Sequence, residues 1–209
     1  MSFVGIDEAA ARVARGEMVL IVDAEDRENE GDVMVAAAHV TAGHINFMAT
    51  HARGLVCMPC DGRLLDELNI APMVPAMPMD QAAFTVSIDH VSVTTGISAP
   101  ERALTIRRVL DPGARPQDFR RPGHVFPLRA RPGGVLERPG HTEASVDLAR
   151  LAGLPPAAAI CEVLDEDGEV ARLPRLREFA ARHGLAMVAV DELMAHRASR
   201  GGPTALAAR

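Results

Sequence analysis

The stretch Val19–Ala38, VLIVDAEDRENEGDVMVAAA, constrains this chain most. An apolar run, Val19 to Val22, leads into it and a second, Val33 to Ala38, leads out. Between them an acid falls on every second residue: Asp26, Glu28, Glu30 and Asp32. Side chains of an extended chain alternate faces with period two, so an extended segment points all four carboxylates the same way. Four like charges that close are unfavourable unless something positive sits among them. An all-oxygen ligand set of this kind suits a hard divalent cation, Mg²⁺ or Mn²⁺. Taken alone the stretch also fits a solvated acidic turn between two strands.

Composition narrows the function classes. A net charge of −6, with no Lys/Arg cluster, argues against a nucleic-acid binder held by phosphate contacts. No apolar run approaches the length of a membrane span. The N-terminus, MSFVGIDEAAARVARGE, reads as an amphipathic helix and not as a signal peptide. Together with only three cysteines this fits a reducing cytoplasm. All 22 basic residues are arginine. Without lysine, Schiff-base chemistry is left only a free N-terminus, so a carbonyl substrate must be polarised by a metal or by hydrogen bonds.

The patterning predicts a helix capped by Asp7 and running to about Gly16, then strands at Met18–Val22 and Asp32–Ala37. A helix capped by Thr41 runs to Ala52, followed by a strand at Leu55–Met58 and a short helix at Arg63–Leu68. Asn69–Ala82, rich in Pro and Met, reads as a loop able to cover a site. Ala83–Ile88 reads as a strand, Asp89–Ser98 as a polar link and Pro100–Leu110 as a helix. Asp111–Gly140 is irregular, broken by a strand at His124–Leu128. A helix follows from His141 or Thr142 to Gly153, then an apolar strand at Ala157–Leu164. The turn Asp165–Gly168 leads to a returning strand at Glu169–Arg172. The chain closes with a helix at Pro174–His183, a strand at Leu185–Val190 and a last helix capped by Asp191. Strands and helices alternate with hairpin-like pairs inside, which predicts one α/β domain, of the α+β type, with a mixed sheet between helices. The domain spans 1–198, and 199–209 reads as a flexible tail.

Further constellations carry chemistry. Arg138-Pro139-Gly140-His141-Thr142-Glu143 stands where a helix begins, and free backbone N–H groups with the positive end of the helix dipole make an anion site there. Gly140 allows close backbone approach, while Arg138 and the Thr142 hydroxyl add donors. The same residues also fit a simple capped helix start. His141 is placed to give a nitrogen ligand to a metal held by the acidic stretch. His124 lies between a Pro-Gly turn and a strand, among arginines, and suits acid–base work. Glu162 interrupts an apolar strand, where a carboxylate is costly unless paired or functional. Cys57-Met58-Pro59-Cys60 reads first as a structural or substrate-adjacent Cys57, then as a redox dithiol, and last as half a zinc site.

In order along the chain stand DAEDRENEGDVMVAA, HARGLVCMP, FTVSID, TTGISAPERALTIR, RPGHVFPLRARPGGVLERPGHTEASVDLARLAG and ICEVLDEDGEVAR. This set resembles the 3,4-dihydroxy-2-butanone 4-phosphate synthases of riboflavin biosynthesis, from the first helix to about Met194. The resemblance implies a single-domain three-layer αβα sandwich around a mixed, twisted sheet. It implies a homodimer with sites near the interface, and conversion of D-ribulose 5-phosphate to L-3,4-dihydroxy-2-butanone 4-phosphate and formate with Mg²⁺ (or Mn²⁺). It places the metal between Glu28 and His141. Substrate falls to Arg27, Glu28, Asp32, Glu162 and the segment Arg138, Pro139, Gly140, His141 and Thr142, which takes the phosphate. His124 and Glu162 match positions essential for catalysis, and Glu30, Asp32 and Cys57 complete the candidates for proton transfer. Ser92 stands where the family more often has glycine, Glu101 where aspartate is commoner, and Pro72–Gln81 is less polar than the family pattern. No segment resembling GTP cyclohydrolase II follows, so the chain reads as monofunctional. Another metal-dependent sugar-phosphate isomerase or aldolase, or a non-catalytic phosphometabolite binder, would use the same acidic site.

Overall fold

The two apolar runs around the acidic stretch form neighbouring antiparallel strands, β1 (Val19–Val22) and β2 (Gly31–Ala36), every residue of which is buried. Strands covered on both faces carry continuous apolar runs, which is the pattern these two show. In this computed structural model, which describes residues 3–75, 78 and 80–200, they lie inside a seven-stranded mixed sheet. The other strands are β3 (Cys57–Cys60), β4 (Ile88–His90), β5 (Phe119–Arg129), β6 (Ala158–Glu162) and β7 (Ala186–Ala189), in the order β4-β5-β3-β6-β2-β1-β7. The β1–β7 and β3–β5 pairs are parallel; β2–β6, β3–β6 and β4–β5 are antiparallel.

Helices cover both faces. On one side α2 (Ala42–Phe47), α3 (Gly62–Glu67), α4 (Ala99–Val109) and α6 (Leu173–His183) bury Ile45, Leu65, Ile106 and Leu176 against Val33, Val35 and Cys161. On the other, α1 (Ile6–Ala14), α5 (His141–Leu151) and α7 (Val190–Ser199) bury Val13, Leu148 and Leu193 against Ile21, Met34, Cys57 and Ile160. The expected three-layer αβα sandwich is the fold. Among the described residues no helix is long and apolar enough to cross a membrane. Of the tail expected from residue 199, Ser199 closes α7, and 201–209 lie outside the described residues. Within the Pro/Met loop, 76, 77 and 79 lie outside them as well.

Local differences from the sequence reading have local causes. Gly5, not Asp7, caps α1, and Ala189, not Asp191, precedes α7; both acids instead sit in first turns, facing the positive helix end. Thr41 caps α2 as expected, but the last part of that helix widens into a π turn over Met48–Ala52. Strand β3 starts two residues later than the apolar pattern indicates because the Leu55 N–H donates to the Glu162 side chain and not to a ladder partner. The segment 83–87 forms no continuous strand: Thr85 N–H donates to Pro127 and Val86 N–H to Ala71, so its bonds divide between β5 and the Pro/Met loop. Strand β5 runs back through Arg-Arg-Pro-Gly to Phe119, with Pro122 at a register shift against β4, where a missing donor is tolerated. The strand expected after the Asp165–Gly168 turn reduces to a single bridge, Leu164–Val170.

Helix α5 is buried from His141 to Ala149, polar residues included. Asp147, with no exposed side-chain surface, accepts the Val135 N–H at 3.0 Å and pairs with Arg197 of α7 and, at 3.3 Å, with Arg150. These bonds hold the middle of α5 against α7 and the turn Gly134–Leu136. Removing one member of a buried pair strands the other charge. Asp147→Ala is expected to lower the unfolding free energy by about 3–5 kcal/mol, read from urea denaturation.

Candidate active site

The connection from β1 to β2 is not extended. Residues 25–28 turn, Asp26 faces solvent, and the even-numbered acids therefore do not share a face. Asp23 supplies what the alternation did not indicate. Its buried carboxylate accepts the Glu30 N–H at 2.8 Å and the Glu28 N–H at 3.2 Å, and takes Arg27 Nη1 at 2.7 Å. Once the turn forms, those N–H groups lack ladder partners, and an acid directly after VLIV is the sequence signal for it.

The turn lays Glu28 against the start of α5. The Glu28 Oε2 lies 3.7 Å from His141 Nδ1, an ion-pair separation and not a hydrogen bond. Asp32 and Glu162 face each other as partners on β2 and β6. Side chains at facing positions stand on the same side of a sheet, here the side covered by α5. Cys57, two strands from Asp32 and packed in the same layer as Met34 and Ile160, belongs to that side as well. His124 alternates with Phe126, which pairs with Cys57, so it lies on this face level with Leu55. Its strand is two places from that of Glu162, about 10 Å away at ordinary strand spacing. The structure thus gathers Glu28, Glu30, Asp32, Glu162 and His141 closely. Cys57 borders them, and His124 stands at the same end of the sheet but touches Asp89 instead.

Cys57 and Cys60 sit on opposite faces, one in each hydrophobic layer, so they form no dithiol pair. Burial, then the charges of Glu162 and Asp32, pushes the Cys57 thiol well above its ordinary range, leaving a protonated donor and not a thiolate.

At the mouth of α5 no side chain caps the helix, and Gly140 lies between the guanidiniums of Arg138 and Arg27; a Cβ there would collide with Arg138. Arg138 is itself buried, held by Glu143 at 2.8 Å and donating from Nε to the Asp80 carbonyl. Glu143, which the sequence offers as a helix-start acid, is a buried anchor that also accepts the Arg131 N–H at 3.1 Å. Thr142 is buried beside it.

Electrostatics follow from this crowding. Contact with His141, reinforced by Arg27, holds the Glu28 carboxyl at about 2 against the effect of burial. Burial pushes Asp32 up to about 7, with His141 opposing and Glu162, Glu30 and Glu28 adding to the rise. Glu30 is raised for the same first reason. Burial acts to lower His141, but Asp32, Glu28 and Asp23 outweigh it and bring the imidazole to about 9. The protein thus places a positive charge where four carboxylates meet. Asp23, Glu28 and His141 each bring a ligand atom within 4.8 Å of the others. Asp32 Oδ1 and His141 Nε2 are buried without a hydrogen-bond partner among the described residues. Oxygen donors around one imidazole, with unpartnered polar atoms beside them, fit a hard divalent cation. Both oxygens of Asp23 and both of Glu28 already accept bonds: those of Asp23 from the Glu28 and Glu30 N–H groups and Arg27, those of Glu28 from the Arg27 guanidinium at 2.8 and 3.0 Å.

The sequence profile of the 3,4-dihydroxy-2-butanone 4-phosphate synthases matches residues 7–196. The chain belongs to this family. It is 52% identical over 198 residues to the 3,4-dihydroxy-2-butanone 4-phosphate synthase of Agrobacterium fabrum, covering 94% of this chain and 93% of that protein. It is 51% identical over 193 residues to the riboflavin biosynthesis protein RibBA of Bacillus subtilis, covering 92% of this chain but 48% of that longer protein. Among solved structures, the synthase crystallised with two magnesium ions superposes with a TM-score of 0.88 at 41% identity, covering 93% of this chain and 96% of that one. The two-domain RibBX synthase of A. baumannii superposes with a TM-score of 0.90 at 47% identity, covering 93% and 58%. The chain is therefore a synthase of this family, acting in riboflavin biosynthesis.

A carboxyl held below its ordinary value adds stability above that value and loses it as pH falls through the folded-state value. In metal-free synthase, Glu28→Gln is expected to lower Tm at pH 6. The gap from the unsubstituted protein should shrink as pH falls from about 4.5 towards about 2, followed by circular dichroism melts.

Proposed function

We propose that this synthase converts D-ribulose 5-phosphate to L-3,4-dihydroxy-2-butanone 4-phosphate and formate, using Mg²⁺ or Mn²⁺ held by Glu28 and His141. The observation that carries the reading is the meeting of the acidic turn with the mouth of α5: Glu28 and His141 face each other beside the buried carboxyl of Asp32. The relative crystallised with two magnesium ions supports the choice of cation. When bound, the ion polarises the substrate carbonyl and its hydroxyls. That role falls to it because the chain has no lysine for a Schiff base.

The remaining work belongs to side chains. The substrate phosphate binds at Arg138, Pro139, Gly140, His141 and Thr142, where backbone N–H groups of α5 converge, with Arg27 flanking Gly140. Arg138, anchored on Glu143, presents a fixed guanidinium there. Asp32, poised at about 7, both takes and gives protons near neutral pH, and Glu162 faces it across the strand pair. The order is enediol formation, loss of the terminal hydroxyl, a carbon shift and release of C4 as formate. Proton transfers are shared among Asp32, Glu30, Glu162, His124 and the Cys57 thiol. The assembly is a homodimer with its sites near the interface, working in the cytoplasm. The Pro/Met loop, tied by Arg131 to Pro78 and by Arg138 to Asp80, covers the substrate.

Purified protein given ribulose 5-phosphate and Mg²⁺ should release one formate per substrate consumed, and chelator should abolish it. Glu28→Ala and His141→Ala should each cut the rate by about 100-fold or more, the size of several kcal/mol of lost charge stabilisation. Formate released equally with chelator present would contradict the metal-dependent reading.

A further inference from the structure

Glu162 closes β6 between two neighbours that hold it differently. Across β2 it faces Asp32, and, behind burial, its negative charge adds to the rise of Asp32, Glu30 and Cys57. On its other side the register is broken. Ile160 pairs with Cys57 and Val163 with Arg53, so three steps along the chain of β6 are matched by four on the facing chain. One extra residue on one chain is a bulge, and it releases backbone from the ladder. Here the Gly54 N–H donates to the Glu162 main-chain oxygen at 3.2 Å. The next N–H, that of Leu55, turns to the Glu162 side chain and meets Oε2 at 2.8 Å. Two consecutive amides thus hold one residue, by its backbone and by its carboxylate.

The chain reaches this grip through an irregular turn. The Arg53 N–H donates back to the Met48 carbonyl at 2.9 Å, closing the π turn, and Arg53 itself stands at φ +73°. Left-handed backbone is unfavourable for a residue with a Cβ, and π turns and strain of this kind collect where geometry serves function. Arg53 is held there from both sides. Its Nη1 donates to the Asp165 carbonyl at 3.1 Å, and the Ala52 carbonyl before it accepts the Leu164 N–H at 2.8 Å. Gly54, by contrast, has no positive φ, so its backbone would admit another residue. Space would not. A Cβ at 54 would lie 2.5 Å from both Oε2 and the main-chain oxygen of Glu162, and 2.9 Å from its Cβ. The glycine is required by Glu162 and not by the turn.

We propose that Gly54 is a positioning residue for Glu162: it lets the Leu55 N–H close on Oε2, so that Oε2 stays a fixed acceptor and Glu162 exchanges its proton through Oε1. An N–H only donates, and the hydroxyl oxygen of a carboxylic acid accepts more weakly than its carbonyl oxygen. A proton on Glu162 therefore settles on the oxygen that the amide leaves free. The catalytic half of this inference rests on the synthase reading above; the grip does not.

Backbone amide exchange in the full-length protein, followed by ¹H–¹⁵N correlation, reads the grip directly. The Leu55 amide should be protected in the unsubstituted protein and exchange about tenfold faster or more in Glu162→Ala, the size of one hydrogen bond to a charged group. The Gly54 amide, bonded to a main-chain oxygen, should stay protected in that variant and serves as the internal control. Gly54→Ala should expose the Leu55 amide in the same way. Its kcat for formate release with Mg²⁺ should fall by about 10²-fold, the cost of misplacing a reacting group by about 1 Å, with KM little changed. Equal Leu55 exchange in the unsubstituted protein and in Glu162→Ala would overturn the proposal, and that comparison needs no change at Gly54. A folded Gly54→Ala with undiminished kcat would overturn it too. So would one that loses kcat while its Leu55 amide stays protected, which marks Gly54 as purely structural. If the unsubstituted protein releases no formate with Mg²⁺, the synthase reading fails while the exchange rates still decide the grip.

Discussion

The structure depends on crowding carboxylates around one imidazole. Glu28, Glu30, Asp32 and Glu162 come from a turn and two strand ends, and the other three each raise the cost of ionising Asp32. A buried histidine in apolar surroundings would ordinarily be neutral; here the surrounding negative charge keeps His141 protonated to about 9. A divalent cation would do the same work with more charge and without the proton. The arrangement is thus set by what it must neutralise.

That cluster exists only because the turn and the helix are held from behind. Asp23 closes the turn by accepting two of its N–H groups. Glu143 and Asp147 hold α5 by satisfying Arg138, Arg197 and the backbone of residues 131 and 135. Buried charged groups in these positions are costly unless fully paired. Their pairing ties the mouth of α5, the Pro/Met loop and the sheet into one unit, so the geometry at Glu28 and His141 follows from contacts made behind them.

Much of this is legible in the sequence, for identifiable reasons. Apolar runs bounded by turn residues locate the strands on either side of the acidic stretch, and residue chemistry picks out His141 and Glu162, whereas Glu28 is singled out from the four acids only by the family resemblance. Asp32 reads as one of four aligned acids, whereas only the fold shows its pairing with Glu162 and its burial. Asp23 does not stand out in the sequence because it acts on backbone N–H groups that become free only when the turn has formed. Glu143 reads as a helix-start acid because its partner, Arg138, reaches it only after the chain folds back. The extent of β5 is hidden by Arg-Arg-Pro-Gly, a sequence that reads as a turn but occupies a bulge.

Whether the acidic turn and the mouth of α5 jointly hold a divalent cation is decided by anomalous diffraction from crystals soaked in Mn²⁺. A manganese peak is expected at coordination distance from both the Glu28 carboxylate and a ring nitrogen of His141. A peak held by other carboxylates, with His141 outside its coordination sphere, would contradict it.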